Sequence, residues 1–129
     1  MADDTPILAG KRCLVLEDEF LIALDIQQLL ETAGATSIVS VGTVAEALDA
    51  LNDGSRFDMV ILDVKVGGEG GSSMTVAAML SEQGTPFVFL TGLRAEEVKV
   101  GAFAAVPVVE KPYQATTLIE ALRGALTPA

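Results

Sequence analysis

Phe57-Asp58-Met59-Val60-Ile61-Leu62-Asp63 is the stretch that decides the reading of this 129-residue chain. From Met59 to Leu62 the side chains are apolar without a break, whereas a strand with one wet face would alternate with polar positions. Unbroken aliphatic runs belong to strands buried on both faces of a parallel sheet. An acid, Asp63, closes the run, and glycines follow at 67, 68, 70 and 71. A carboxylate at the mouth of a buried strand, next to a loop with conformational freedom, is an exposed reactive acid.

Working outward, further strand-like runs stand at Arg12–Leu16, Thr36–Val41, Pro86–Leu90 and Val106–Val109, with the central one taken as Asp58–Leu62. Helical patterns lie between them. Ile22, Ile26, Leu29 and Ala33 recur on one face of the first helix, opposite Asp25, Gln28 and Thr32, and Gly34 stands where a C-cap belongs. The second opens on the capping box Thr43-Val44-Ala45-Glu46 and stops before Asn52-Asp53-Gly54. Ser72 and Ser73 are candidate caps for the third, which ends near Gly84. A short fourth helix is expected at Ala95–Val100, and a fifth from about Gln114 to Leu126 with Leu118, Leu122 and Ala125 inward. Alternating strands and helices imply right-handed crossovers and a parallel sheet with helices on both faces. Sites in such sheets form outside the carboxyl ends of the strands, where strand order reverses. No internal repeat, linker or second domain is visible, so residues 1–129 read as one domain with its core at about 11–126.

Composition narrows the function. Half the residues are hydrophobic, yet no apolar stretch reaches the roughly 20 residues that span a bilayer. The opening Met1-Ala2-Asp3-Asp4-Thr5-Pro6 is acidic where a secretory signal is basic, and cytoplasmic residence is the expectation. The single cysteine, Cys13, rules out an internal disulfide and reads as a small core residue. The absence of histidine removes imidazole metal sites and the Ser-His-Asp triad. A net charge of −10 argues against nucleic-acid binding and against adhesion to anionic membranes.

The strand ends carry the chemistry. The first is followed by Glu17-Asp18, the third by Asp63, the fourth by Thr91-Gly92 and the fifth by Glu110-Lys111-Pro112. Three carboxylates converging on one rim repel one another unless a divalent cation neutralises them, and a hard cation such as Mg2+ prefers oxygen ligands. A hydroxyl and an ammonium suit phosphoryl oxygens, and an aspartate is then a nucleophile able to form an acyl phosphate. Taken singly, each residue has a plainer role as a helix cap, a turn or a strand terminator; their joint placement on one edge points to a site. Glu96, Glu97 and Glu110 read as solvated surface, Phe57, Phe87, Phe89 and Phe103 as core, and Tyr113 as a partly exposed ring beside the output face.

Glu17-Asp18, Asp63, Thr91 and Lys111-Pro112, in this order and spacing, resemble the receiver (CheY-like) domain of two-component response regulators over about Lys11 to Leu126. The resemblance implies an α/β, flavodoxin-like (βα)5 three-layer sandwich with strand order 2-1-3-4-5. It implies Asp63 as phosphoacceptor, with Thr91 and Lys111 assisting. It assigns Mg2+ to Asp18 and Asp63, to Glu17 through water, and to the backbone carbonyl of Lys65. The partners it implies are a histidine kinase or histidine phosphotransferase and a downstream protein. Pro86-Phe87-Val88-Phe89-Leu90-Thr91-Gly92-Leu93 is further similar to the FATGUY subgroup of single-domain receivers, with Leu90 and Arg94 replacing its alanine and tyrosine. Three departures stand out. Val108 replaces the usual aromatic three residues before the lysine, Gly67 replaces the usual proline, and Lys65 puts an amine near the pocket.

The ends of the chain lie just outside the first strand and last helix, so the expected output is an interaction through the fourth helix, fifth strand and fifth helix. A monomer or weak homodimer fits. The competing readings are a scaffold that has lost its switch, favoured by Val108, and an aspartyl-nucleophile phosphatase. Lys65 counts against the latter, since such enzymes carry a second aspartate there to protonate the leaving group. A flavin carrier would need a hydroxyl- and glycine-rich phosphate loop after the first strand, which is missing.

Overall fold

The computed structural model describes residues 6–54, 56–64, 72–92, 103 and 105–126. Five strands, β1 (Arg12–Leu16), β2 (Ser37–Val41), β3 (Met59–Asp63), β4 (Phe87–Thr91) and β5 (Val108–Glu110), pair in parallel in the order β2-β1-β3-β4-β5. The helices are α1 (Phe20–Thr32), α2 (Val44–Asn52), α3 (Ser73–Gln83) and α4 (Ala115–Leu126). The expected helix at Ala95–Val100 lies outside the described residues, as do Lys65, Gly67, Glu96 and Glu97.

The unbroken aliphatic runs have the cause inferred from them. Side chains alternate across a strand, so each run feeds two cores. Leu14, Leu16, Val60, Leu62, Phe87 and Phe89 meet Val44, Ala47, Leu51, Val76, Ala77 and Leu80 of α2 and α3 on one face. Cys13, Val15, Met59, Ile61, Val88 and Leu90 meet Ile26, Leu30, Leu118 and Leu122 of α1 and α4 on the other. Each fully buried Leu or Ile contributes roughly 1.5–3 kcal/mol relative to exposure. Among the described residues, no helix is long and apolar enough to cross a membrane.

Local signals act as read, with some shifts. Thr43 accepts the Glu46 N–H at 3.1 Å, and Glu46 Oε1 accepts the Gly42 N–H at 3.1 Å, closing the capping box of α2. Gly34, at φ +103°, follows α1 and lets the Ala35 N–H reach back to the Leu30 carbonyl at 3.0 Å. The inward stripe of α1 is Ala23, Ile26 and Leu30, with Ile22, Leu29 and Ala33 only half-buried at its margin. This helix is apolar around much of its girth, so packing rather than periodicity chose the face. Ala125 is likewise half-buried, while Leu118 and Leu122 are fully in the core.

Strands β3 and β4 each run one residue further than their apolar letters. Asp63 pairs with Leu90 and Thr91 with Glu110, because the parallel ladder continues through polar side chains as long as backbone partners remain. Strand β5 starts later than expected, at Val108, because Pro107 has no N–H to give the ladder; its carbonyl still accepts from Phe89 at 2.9 Å. Strand order reverses between β1 and β3, so their carboxyl ends flank the crevice where a ligand site forms.

Candidate functional site

Each acid at this crevice is set by a strand end. The Glu17 N–H donates to the Val41 carbonyl at 3.0 Å, extending the β1–β2 ladder past Leu16, and its side chain turns into the protein, leaving the residue 3% exposed. Glu17 Oε2 accepts the N–H of Glu19, the N-cap of α1, at 3.0 Å. Asp18 is exposed beside it. Asp63, expected from the sequence to be exposed, is instead 1% exposed because the ladder carries it to the tip of β3, where the Val64 N–H donates to the Leu90 carbonyl at 2.9 Å and the Ser73 hydroxyl donates to the Asp63 carbonyl. Oxygens of Glu17, Asp18 and Asp63 all lie within 4.8 Å of one another.

Lys111 follows β5, its N–H bound to the Thr91 carbonyl at 2.7 Å. Its ammonium stands 2.8 Å from Glu17 Oε1 and donates to Asp63 Oδ2 at 3.2 Å. Thr91 is fully buried at the end of β4. Four of the residues read from the sequence, Glu17, Asp18, Asp63 and Lys111, therefore meet in one cluster, and Thr91 joins it through its backbone. The Lys65 carbonyl lies outside the described residues.

Burial dominates the electrostatics. It raises the Glu17 carboxyl to about 7, aided by the neighbouring Asp63 charge and opposed by Lys111 and the Glu19 N–H. Burial also pulls the Lys111 ammonium down, but the two carboxylates outweigh it and the net shift is upward. Glu17 Oε1 is buried with no hydrogen-bond donor aligned on it, held by charge alone. Three clustered carboxylates, one of them with a buried oxygen held only by the Lys111 charge, form a donor set that fits a small, hard, oxygen-seeking divalent cation.

Residues 13–123 match the family described as the response regulator receiver domain. The chain belongs to that family. The receiver is 28% identical over 126 residues to the transcriptional regulatory protein PdtaR of Mycobacterium tuberculosis, covering 96% of the chain but only 60% of PdtaR's length. Among solved structures it superposes on a response regulator receiver protein from Sinorhizobium medicae with a TM-score of 0.81 and 26% identity, covering 91% of this chain and 94% of that one. The BeF3-activated conformation of SdrG from Pseudomonas melonis is 37% identical, with a TM-score of 0.72 and coverage of 92% and 98%.

Two polar residues of the receiver escaped the sequence reading. Ser72 alone is the cap of α3, accepting the Met74 N–H at 3.2 Å; Ser73 is buried and braces the backbone of Asp63. A serine pair in which only one member can cap was the available signal. Tyr113 is half-buried, as expected, with its ring packed against the α1–α4 core; what the sequence does not give is the bond from its hydroxyl to Asp25 Oδ2 on α1 at 2.6 Å. No local pattern joins residues 88 positions apart. Val108 is half-buried opposite Phe89, whose ring meets Phe87 and Phe103 edge-on at centroid distances of 5.5 and 5.8 Å.

Proposed function

We propose that this receiver takes a phosphoryl group from a phosphohistidine of a histidine kinase or phosphotransferase onto Asp63, in a Mg2+-dependent reaction. It then signals through a phosphorylation-dependent protein contact or passes the group along a relay. The observation that carries this reading is the Lys111 ammonium set between the Glu17 and Asp63 carboxylates on the sheet rim. An Asp63 carboxylate oxygen attacks phosphorus, an O–P bond forms, and the P–N bond breaks with its electron pair returning to the donor imidazole. Glu17, Asp18 and Asp63 would hold Mg2+, with the Lys65 carbonyl as a further ligand. When bound, the cation offsets the charge of the acids and of the incoming phosphoryl oxygens. Lys111 turns from the carboxylates to the new anion, and the Thr91 hydroxyl donates to it.

The face around the acids supports a protein as phosphodonor. Phe20 and Leu21, at the start of α1, are 75% and 76% exposed, and Leu24 one turn on is 39% exposed. With Glu17 and Asp18, Phe20 and Leu24 border a cleft of about 300 Å³. An apolar patch beside the acid cluster is suited to a helical partner that must bring its phosphohistidine to Asp63. The same proposal places the protein in the cytoplasm, as a monomer or weak homodimer without turnover of an outside substrate. Val108 favours a second reading, a scaffold without a switch, and the assembled acids and lysine weigh against it.

Incubation with Mg2+ and acetyl phosphate should add one alkali-labile phosphate per chain, and Asp63→Asn should abolish it. A wild-type protein that stays unmodified, or a variant that does not, overturns the assignment.

A further inference from the structure

We infer that Tyr113, through its hydrogen bond to Asp25, is the positioning residue that holds the Lys111 loop in place for phosphoryl capture. The inference rests on the proposed role of Asp63 and Lys111. Lys111 lies on a slender support. Among the described residues, strand β5 has three residues and pairs only with β4, and α4 begins at Ala115. Between them, residues 111–114 form a loop whose first residue is anchored by the Lys111 N–H to Thr91. Two residues later Tyr113 leaves the loop for a different element. Its hydroxyl donates to Asp25 at 2.6 Å, inside the short range of charge-assisted bonds.

The acceptor is well founded. Asp25 precedes Ile26, and Ile26 and Leu30 seat α1 in the core with no exposure. The bond spans a cleft of about 740 Å³ between α1 and α4, bordered by Ile7, Leu29, Ile119 and Arg123, so the loop has open space on this side. Burial, then the Asp25 carboxylate, raises the Tyr113 hydroxyl, which stays protonated and able to donate. Two residues of chain span at most about 7 Å, so fixing Tyr113 restricts where the Lys111 backbone can go. Lys111 must release Glu17 and meet the phosphoryl oxygens. With its backbone pinned at both ends, that movement is a side-chain swing rather than a loop excursion, which keeps the reorganisation needed at the site small.

The test compares Tyr113→Phe, which keeps the ring, with Asp25→Ala and with Asp25→Asn, which keeps an acceptor oxygen. With acetyl phosphate and Mg2+, Tyr113→Phe and Asp25→Ala should lower the limiting rate of Asp63 phosphorylation roughly tenfold, equivalent to about 1.4 kcal/mol. Their Mg2+ affinity should stay within about twofold, and Asp25→Asn should restore the rate. The double variant Tyr113→Phe/Asp25→Ala should be no slower than either single one. A merely structural bond would lower thermal stability in Tyr113→Phe and Asp25→Ala and leave the rates alone. Wild-type rates in Tyr113→Phe, or Asp25→Asn as slow as Asp25→Ala, overturn the inference. Amide exchange at Lys111, read by NMR without a phosphodonor, should speed up in Tyr113→Phe; unchanged protection also overturns it. If the wild type takes no phosphate while Lys111 exchange still speeds up, the tether stands and the proposed function falls.

Discussion

Glu17 carries an uneasy balance, since its carboxyl is buried, 2.8 Å from an ammonium, and still raised to about 7. A folded-state value above the unfolded one means that the native protein binds a proton the unfolded chain has already lost. That contribution to stability is complete below about 4.5, the unfolded value, and disappears as pH rises through about 7. Metal-free protein should therefore lose on the order of 1 kcal/mol per pH unit across this window from Glu17 alone. Urea denaturation at several pH values, repeated with Glu17→Gln, checks it, and the variant should have the flatter profile. Carboxylate-bound Mg2+ competes with the same proton, so apparent Mg2+ affinity should tighten as pH rises through about 7 and level off above it. Ser73 makes a simpler case. Its hydroxyl is spent on the Asp63 carbonyl, and Ser73→Ala should cost about 1–2 kcal/mol in urea denaturation by leaving that buried bond unmade.

Among the elements, the glycines after α1 and α3 separate backbone strain from crowding. Gly34 and Gly84 both hold positive φ, +103° and +73°. A Cβ at Gly84 meets nothing within 4 Å, whereas one at Gly34 would sit 2.8 Å from Pro6 Cβ and 3.1 Å from the Ala9 nitrogen. Gly84→Ala should cost about 1–2 kcal/mol for the left-handed backbone, and Gly34→Ala at least about 1 kcal/mol more. Equal thermal midpoints for the two variants would contradict this. Gly34 was legible as a cap because a single helix determines that role; its closeness to Pro6 was not, because the chain returns from elsewhere to make it. The same division runs through the molecule. Short-range patterns exposed the aliphatic strands, the Thr43–Glu46 box and the acids at the strand ends. The extension of β3 through Asp63, the buried face of α1 and the Tyr113–Asp25 bond depend on neighbours distant in the chain, and no local periodicity encodes them.

For the molecule as a whole, the rim is a repulsive cluster on a body that already carries a net charge of −10. Long-range repulsion of that size is screened by any salt, with a Debye length of about 8 Å at physiological ionic strength. The three carboxylates at the crevice lie closer than that, and Glu17 and Asp63 are shielded from solvent, so monovalent salt relieves them poorly. A divalent ion bound only by the folded arrangement adds RT ln(1 + [Mg2+]/Kd), about 2.7 kcal/mol at a hundredfold excess over Kd. For a domain of this size the gain corresponds to a rise of about 10 °C in thermal midpoint. The rise should appear with MgCl2 and not with NaCl at matched ionic strength, which separates site binding from screening. Asp18→Asn and Asp63→Asn should each remove most of it, because each deletes a charged ligand. Asp18→Asn should also raise the metal-free midpoint or leave it unchanged, since it removes one member of a like-charged group, whereas Asp63→Asn also gives up the ion pair with Lys111. A uniform response to both salts would mean that the body's charge, and not the site, controls stability.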